Sequence, residues 1–183
     1  MSRLSFPRSP FLRWGLLAVI QLGLIAVPLA ERLDVQMTGE TVPLAVAPVD
    51  PRDLLRGDYV VINLAISEIS KDVPGAAGVT PGEQVYVGLA DHGKNPATPV
   101  SVTRARAEAG DLAIAGKVVS VRRDHIRVDY GIDAFFLPEG DGKDIENQPR
   151  GRMTLEVALA KDGRSLPVTL EAGDKTYRSD ALF

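Results

Sequence analysis

Cysteine is absent from the 183 residues, and histidine occurs only twice, at His92 and His125. The first absence excludes disulfides, cysteine-ligated zinc and thiol catalysis. It leaves the compartment open, because a larger core stabilises an exported domain without bridges. The two histidines are far apart and lack the His-Glu-x-x-His spacing of a metal site, so solvated surface is the expected state of each. A strong charge bias is missing as well. The formal net charge is -3, no clustered basic face is evident, and nucleic acid is therefore not an expected partner. Heptads, internal repeats and low-complexity runs are also missing. What is present, 45% hydrophobic and 25% charged residues with 17 Gly and 13 Pro, describes a foldable chain with many turns between short strands. It is long enough for one compact domain and an appendage.

The appendage is N-terminal. Residues 14–30 read WGLLAVIQLGLIAVPLA, with no charge and only Gln21 as a clearly polar side chain. At ~1.5 Å per residue this run rises ~25 Å, and Phe11 and Leu12 extend it past Arg13, whose side chain can snorkel to the interface. One membrane pass through residues 14–30 is expected, with the lipid bilayer as its surroundings, since a helix satisfies its own backbone groups in hydrocarbon. Arg3, Arg8 and Arg13 precede the run without any acid, whereas Glu31, Arg32 and Asp34 follow it. By the positive-inside rule residues 1–13 form a cytoplasmic basic tail. Three of the 21 basic residues lie there, leaving 18 against 24 acidic ones in the part that faces outward. A cleaved signal peptide competes with the anchor. Cleavage wants small residues at the first and third positions before the cut, and Pro28 ahead of Ala30 or Leu24 ahead of Ala26 serves poorly. A helix buried in a globular core is the third alternative.

Beyond a juxtamembrane linker, residues 31–40, the chain reads as strands, and no further domain boundary is evident in residues 41–183. Residues 42–48 offer a first strand, with Pro43 and Pro48 near its ends placing it at a sheet edge. A charged corner follows, then a long strand to Ile66 whose alternate residues Val60, Ile62, Leu64 and Ile66 can share one core. Residues 67–82 read as a loop and residues 91–99 as a Gly- and Pro-rich turn. Val85, Val87 and Leu89 alternate in one strand, Val100 and Val102 begin another, and residues 112–121 reverse at Arg122 to Asp124 into Ile126, Val128 and Tyr130. Met153, Leu155, Val157 and Leu159 form a hairpin with Leu166, Val168 and Leu170 around Asp162-Gly163, which supplies the positive backbone angles of a tight turn. Residues 144–148 have room for a short helix at most. Seven or eight strands with short turns predict an all-β barrel- or sandwich-like domain.

Two stretches carry a resemblance. Gly57-Asp58-Tyr59-Val60-Val61-Ile62-Asn63-Leu64, after Asp50-Pro51-Arg52-Asp53, resembles the signature of the bacterial GDYXXLXY protein family, and Tyr130 to Gly140 with Glu146 is similar to its aromatic and Pro-Glu-Gly segment. Leu64 replaces the motif's final Tyr, so a role requiring that phenol hydroxyl is absent here. The resemblance implies a protein tethered to the bacterial inner membrane, with its C-terminal domain periplasmic or extracytoplasmic and an integral membrane protein as partner. It supplies no chemistry and no cofactor.

The residues themselves allow several readings. Asp50, Asp53 and Asp58 could ligate a hard cation around a turn, but Arg52 and Arg56 are interleaved and the EF-hand spacing is missing. A structural corner, with the acids capping the turn and Gly57 adopting positive φ, is the simpler account. Tyr130, Phe135 and Phe136 could form an apolar wall with Glu139 at its rim, although aromatics in a strand-to-loop segment are more often packed in the core. A pairing of Glu139 with Asp58 or Glu146 at about 5–9 Å would suit an envelope hydrolase using two carboxylates, and these three acids are the weak catalytic candidates. A signal-peptidase-like arrangement lacks its nucleophile, since no Ser, Thr or Cys occurs in residues 42–66. Ser67 and Lys71 have no helix to align them. The leading expectation is not an enzyme but an accessory or assembly module. Its contact face would comprise Asp50, Arg52, Asp53, Arg56, Gly57, Asp58 and Tyr59 together with Tyr130, Phe136 and Glu139.

Overall fold

The computed structural model describes residues 10–47, 59–136 and 153–178. Helix α1 spans Pro10–Thr38, so residues 31–38, expected as a linker, continue the helix. Twenty-nine residues at ~1.5 Å each give roughly 44 Å, longer than the ~30 Å hydrocarbon core of a bilayer. Residues 10–30 are exposed on every side, Trp14, Leu22, Leu24 and Ile25 each by 66% or more. A helix buried in a globular core is therefore excluded, and α1 is a candidate membrane span by length and composition.

The helix meets the β domain through its last two turns. Val35, 3% exposed, packs with Ala158, Ala160, Leu166 and Val168. Arg164 donates to the Glu31 carbonyl at 3.1 Å and to Asp34 Oδ2 at 3.1 Å. The helix ends at Gly39, whose N–H bonds the Val35 carbonyl at 2.9 Å. A Cβ there would press on that same oxygen and on Ala158, so the sharp exit into the first strand requires glycine.

Twelve strands follow: β1 Glu40–Ala47, β2 Tyr59–Val61, β3 Asn63–Leu64, β4 Glu68–Ser70, β5 Gln84–His92, β6 Asn95–Thr103, β7 Ala113–Val121, β8 His125–Asp129, β9 Ala134–Phe136, β10 Met153–Leu159, β11 Ser165–Ala172 and β12 Lys175–Arg178. They form two five-stranded antiparallel sheets, ordered β12-β11-β10-β1-β3 and β4-β8-β7-β5-β6, and a two-stranded ribbon of β2 and β9. The domain is all-β, as its composition of alternating strands predicts. One continuous core joins both sheets: Val42, Leu44, Leu155 and Leu170 from the first meet Ile69, Val85, Val87, Ile114 and Ile126 from the second.

Several elements differ from the linear reading. β1 is internal, flanked by β10 and β3, and not an edge; β3 pairs with it only from Val46 onward, so Pro43 faces a single partner strand and forfeits no second ladder bond. The long strand to Ile66 breaks at Ile62 and ends in a 3-10 turn, Ala65–Ser67, yet Ile62, Leu64 and Ile66 all stay in the core. The expected loop after it contains β4, held to β8 by the pair Ile69 and Ile126. The turn expected over residues 91–99 is confined to Gly93 and Lys94, where Gly93 has φ +67°. Pro96 and Pro99 are tolerated because β6 is an edge strand. In the C-terminal hairpin a register shift near Glu156 and Val157 turns the partner strand over. Leu170 therefore points into the core, while Leu166 and Val168 pack with Val35 on the helix side. At its turn only Gly163 has positive φ, +93°. The segment considered for a short helix, residues 144–148, lies outside the described residues.

Candidate functional site

The two signature stretches, more than seventy residues apart in the chain, run antiparallel against each other. β2 pairs with β9 in the register Tyr59 with Phe136, Val60 with Phe135 and Val61 with Ala134. One step further the Ile62 N–H donates to the Asp133 carbonyl at 2.7 Å, and four residues on the Tyr130 hydroxyl donates to the Ile66 carbonyl at 2.7 Å. Contacts thus occur between residues 59–66 of one segment and residues 130–136 of the other.

Local chemistry explains the bend that makes this possible. β8 ends at Asp129, whose Oδ1 accepts the Gly131 N–H at 2.8 Å, and Gly131 takes φ +69°. This short side-chain-closed turn redirects the chain toward β2. Tyr130, at its apex, is inserted into the core with 9% exposure. Its ring lies over Gly116 of β7, where an added Cβ would come within 2.8 Å of Tyr130 Cδ1. Burial pushes the phenol pKa far above its ordinary value of 10.0, so the group is a fixed neutral donor at any physiological pH. Tyr130 was expected on a contact face; it is a buried clasp instead, because the Gly131 turn drives its side chain inward. Phe135 is likewise fully buried, the core packing that aromatics in such a segment most often have.

For Tyr59 and Phe136 the backbone is described and the pairing is as above. Asp50, Arg52, Asp53, Arg56, Gly57, Asp58, Glu139 and Glu146 lie outside the described residues. Clefts open on either side of residues 130–133. One, of about 190 Å³, is lined by Asn63, Ser67, Arg127, Asp129 and Asp133; in it Arg127 donates to Asn63 Oδ1 at 3.0 Å. Another, of about 450 Å³, lies between this bend, the β10–β11 turn and helix α1.

Other residues singled out by sequence fall elsewhere. His92 shares a hydrogen bond with Thr98 across β5 and β6 at 2.9 Å, and His125 contacts Asp124 at 2.8 Å. Asp124 is held below its ordinary carboxyl value by backbone donors and by His125. Ser67 and Lys71 flank opposite ends of β4, and at ~3.3 Å per strand residue they are ~13 Å apart along the chain, too far for a nucleophile and its base. The network that sequence reasoning missed is Arg164 with Asp34 and Asp162. Arg164 Nε donates to Asp162 Oδ2 at 2.7 Å and its N–H to Oδ1 at 3.0 Å. Partial burial pushes the Asp162 carboxyl up, but the backbone and side chain of Arg164 outweigh it and hold the group below its usual range. Arg164, hydrogen-bonded to Asp162, is in turn held more firmly protonated. No linear signal connects residue 34 to residue 164.

These features define a class: an all-β domain fixed to an apolar N-terminal helix, with two distant signature segments paired in a two-stranded ribbon. The chain matches the family model described as GDYXXLXY protein over residues 21–170, and it belongs to that family. No curated protein and no solved structure matches it.

Proposed function

We propose that the protein is a membrane-anchored accessory or assembly module of the bacterial cell envelope. Helix α1 spans the inner membrane with residues 1–13 in the cytoplasm, and the β domain stands on the outer side, where it docks an integral membrane partner. The observation that carries this reading is the pairing of β2 with β9, which makes one feature out of both signature segments on a body attached directly to the candidate span. The contact face is drawn from Asp50, Arg52, Asp53, Arg56, Gly57 and Asp58 of the first segment and Glu139 of the second, together with Tyr59 and Phe136, whose strands pair. Tyr130, buried and bonded to the Ile66 carbonyl, is left out of the face.

The test is crosslinking in intact membranes, comparing the wild-type chain with an Asp53→Ala, Asp58→Ala double variant. The expected result is a discrete integral membrane protein captured by the wild type and lost from the variant, with both domains equally resistant to proteolysis. Equal capture by both overturns the docking face. A reporter joined after Phe183 that is active only in the cytosol overturns the topology.

A further inference from the structure

The cleft of about 450 Å³ between α1 and the β domain has a composition and a position that the docking reading does not use. Its helix wall consists of Pro28, Glu31, Arg32 and Val35. These fall at i, i+3, i+4 and i+7 and so form one stripe. Pro28 belongs to the apolar run, whereas Val35 is packed on the β domain. The stripe therefore crosses from the end of the hydrocarbon span to the body of the domain, a rise of ~10 Å. The polar layer on one side of a bilayer is about 5–8 Å thick. The cleft is consequently level with lipid headgroups, and its volume lies within the ~300–1,000 Å³ of sites that enclose small ligands.

Its chemistry is mixed in a specific way. Pro28, Leu166 and Pro167 are apolar lining residues, and Arg32, Glu31 and Asp133 are charged ones of both signs. Arg164 also lines the cleft, but its guanidinium is committed to Asp162, Asp34 and the Glu31 carbonyl. Arg32, half-buried, stands outside that network. A purely anionic group would meet Arg32 and also two carboxylates. A headgroup that carries both signs satisfies all three. Between the common zwitterions, a primary ammonium offers N–H donors to Glu31 and Asp133, whereas a trimethylammonium has none and calls for an aromatic cage; the one aromatic side chain among the described residues of this cleft, Tyr130, is engaged with Ile66.

We infer that this cleft binds the phosphoethanolamine headgroup of a bilayer phospholipid, the phosphate on Arg32 and the ammonium between Glu31 and Asp133, with the acyl chains descending beside Pro28. The inference rests on the membrane-anchored reading above. Lipid bound here fills the gap between span and domain and fixes the height and tilt at which the docking face is presented.

The experiment uses the full-length protein in nanodiscs made of phosphatidylethanolamine or phosphatidylcholine, with retained lipid counted by native mass spectrometry after detergent release. The wild type is expected to keep one phosphatidylethanolamine and about tenfold less phosphatidylcholine. Arg32→Ala should lower ethanolamine-lipid retention about tenfold, the equivalent of one lost charge-assisted hydrogen bond, without changing the thermal midpoint, and Arg32→Lys should restore part of it. Soluble glycerophosphoethanolamine should displace the lipid. Equal retention of both lipids, undiminished retention by Arg32→Ala, or lipid held only through its chains and not displaced by the soluble headgroup each overturn the assignment. Alkaline carbonate extraction of the same cells separates the two ideas: protein that stays with membranes but shows no lipid preference defeats the headgroup site alone, whereas release of the full-length chain defeats the anchor and the site together.

Discussion

The β10–β11 hairpin and the β2–β9 ribbon are both antiparallel pairs, and they are assembled in opposite ways. The hairpin joins neighbours in the chain around Gly163, and its alternation can be read by eye. The ribbon joins Tyr59 to Phe136 and Val61 to Ala134 across most of the second sheet, and it is held at its far end by a single phenol bonded to a single carbonyl. A pair closed by its own turn needs little help from the surrounding protein. A pair closed over such a distance exists only because the core already holds both strands in place.

The largest break in this comparison should come from Phe135→Ala. The side chain is fully buried in β9, and its loss should destabilise the domain by about 3–5 kcal/mol in urea denaturation. Gly163→Ala tests the hairpin instead: φ is +93° and a Cβ would come within 3.2 Å of both Tyr86 and the Ala115 nitrogen. We expect a loss of about 1–3 kcal/mol, with Ala115 N–H to Gly163 O hydrogen exchange accelerated first, since that bond of 2.8 Å ties the turn to β7.

Tyr130→Phe keeps the ring and removes only the donor, leaving the Ile66 carbonyl buried and unsatisfied. The expected loss is about 1–2 kcal/mol. It also carries a pH signature. The folded phenol titrates well above its ordinary value of 10.0, so the unfolded chain ionises first as pH rises. The contribution of Tyr130 is complete below pH 10 and declines above it, by about 1.4 kcal/mol per pH unit at most. Alkaline denaturation curves of wild type and Tyr130→Phe should therefore converge above pH 10; parallel curves would show that the hydroxyl is not the clasp.

The smallest effect belongs to Asp162. Its folded pKa is depressed, so its contribution is present above the ordinary carboxyl value of 3.8 and is lost as pH falls below it. Asp162→Asn should flatten the acid limb of the stability profile and loosen α1 from the hairpin, read as a broader distance distribution between spin labels placed on residues 29 and 166. An unchanged distribution would assign the helix attachment to Val35 packing alone.

Much of the hairpin was legible because period-2 alternation and an Asp-Gly turn are local. The bulge that sends Leu166 and Val168 to the helix side was not, since a register shift leaves no mark in one strand's own sequence. For the site, proximity of the two signature segments was suspected only from their resemblance. Tyr130 was expected at the contact face although aromatics in such a segment are more often core, and only the turn that aims it decides between the two.

The amino-acid order alone determined the apolar span, the strand-rich body and the hairpin, because each depends on contacts between residues a few positions apart. Packing in three dimensions decided that β1 is internal, that Tyr130 bonds Ile66, and that Arg164 fastens the end of the helix to the β domain. Those depend on which distant segments exclude water together, a property of the whole core and not of any stretch of it.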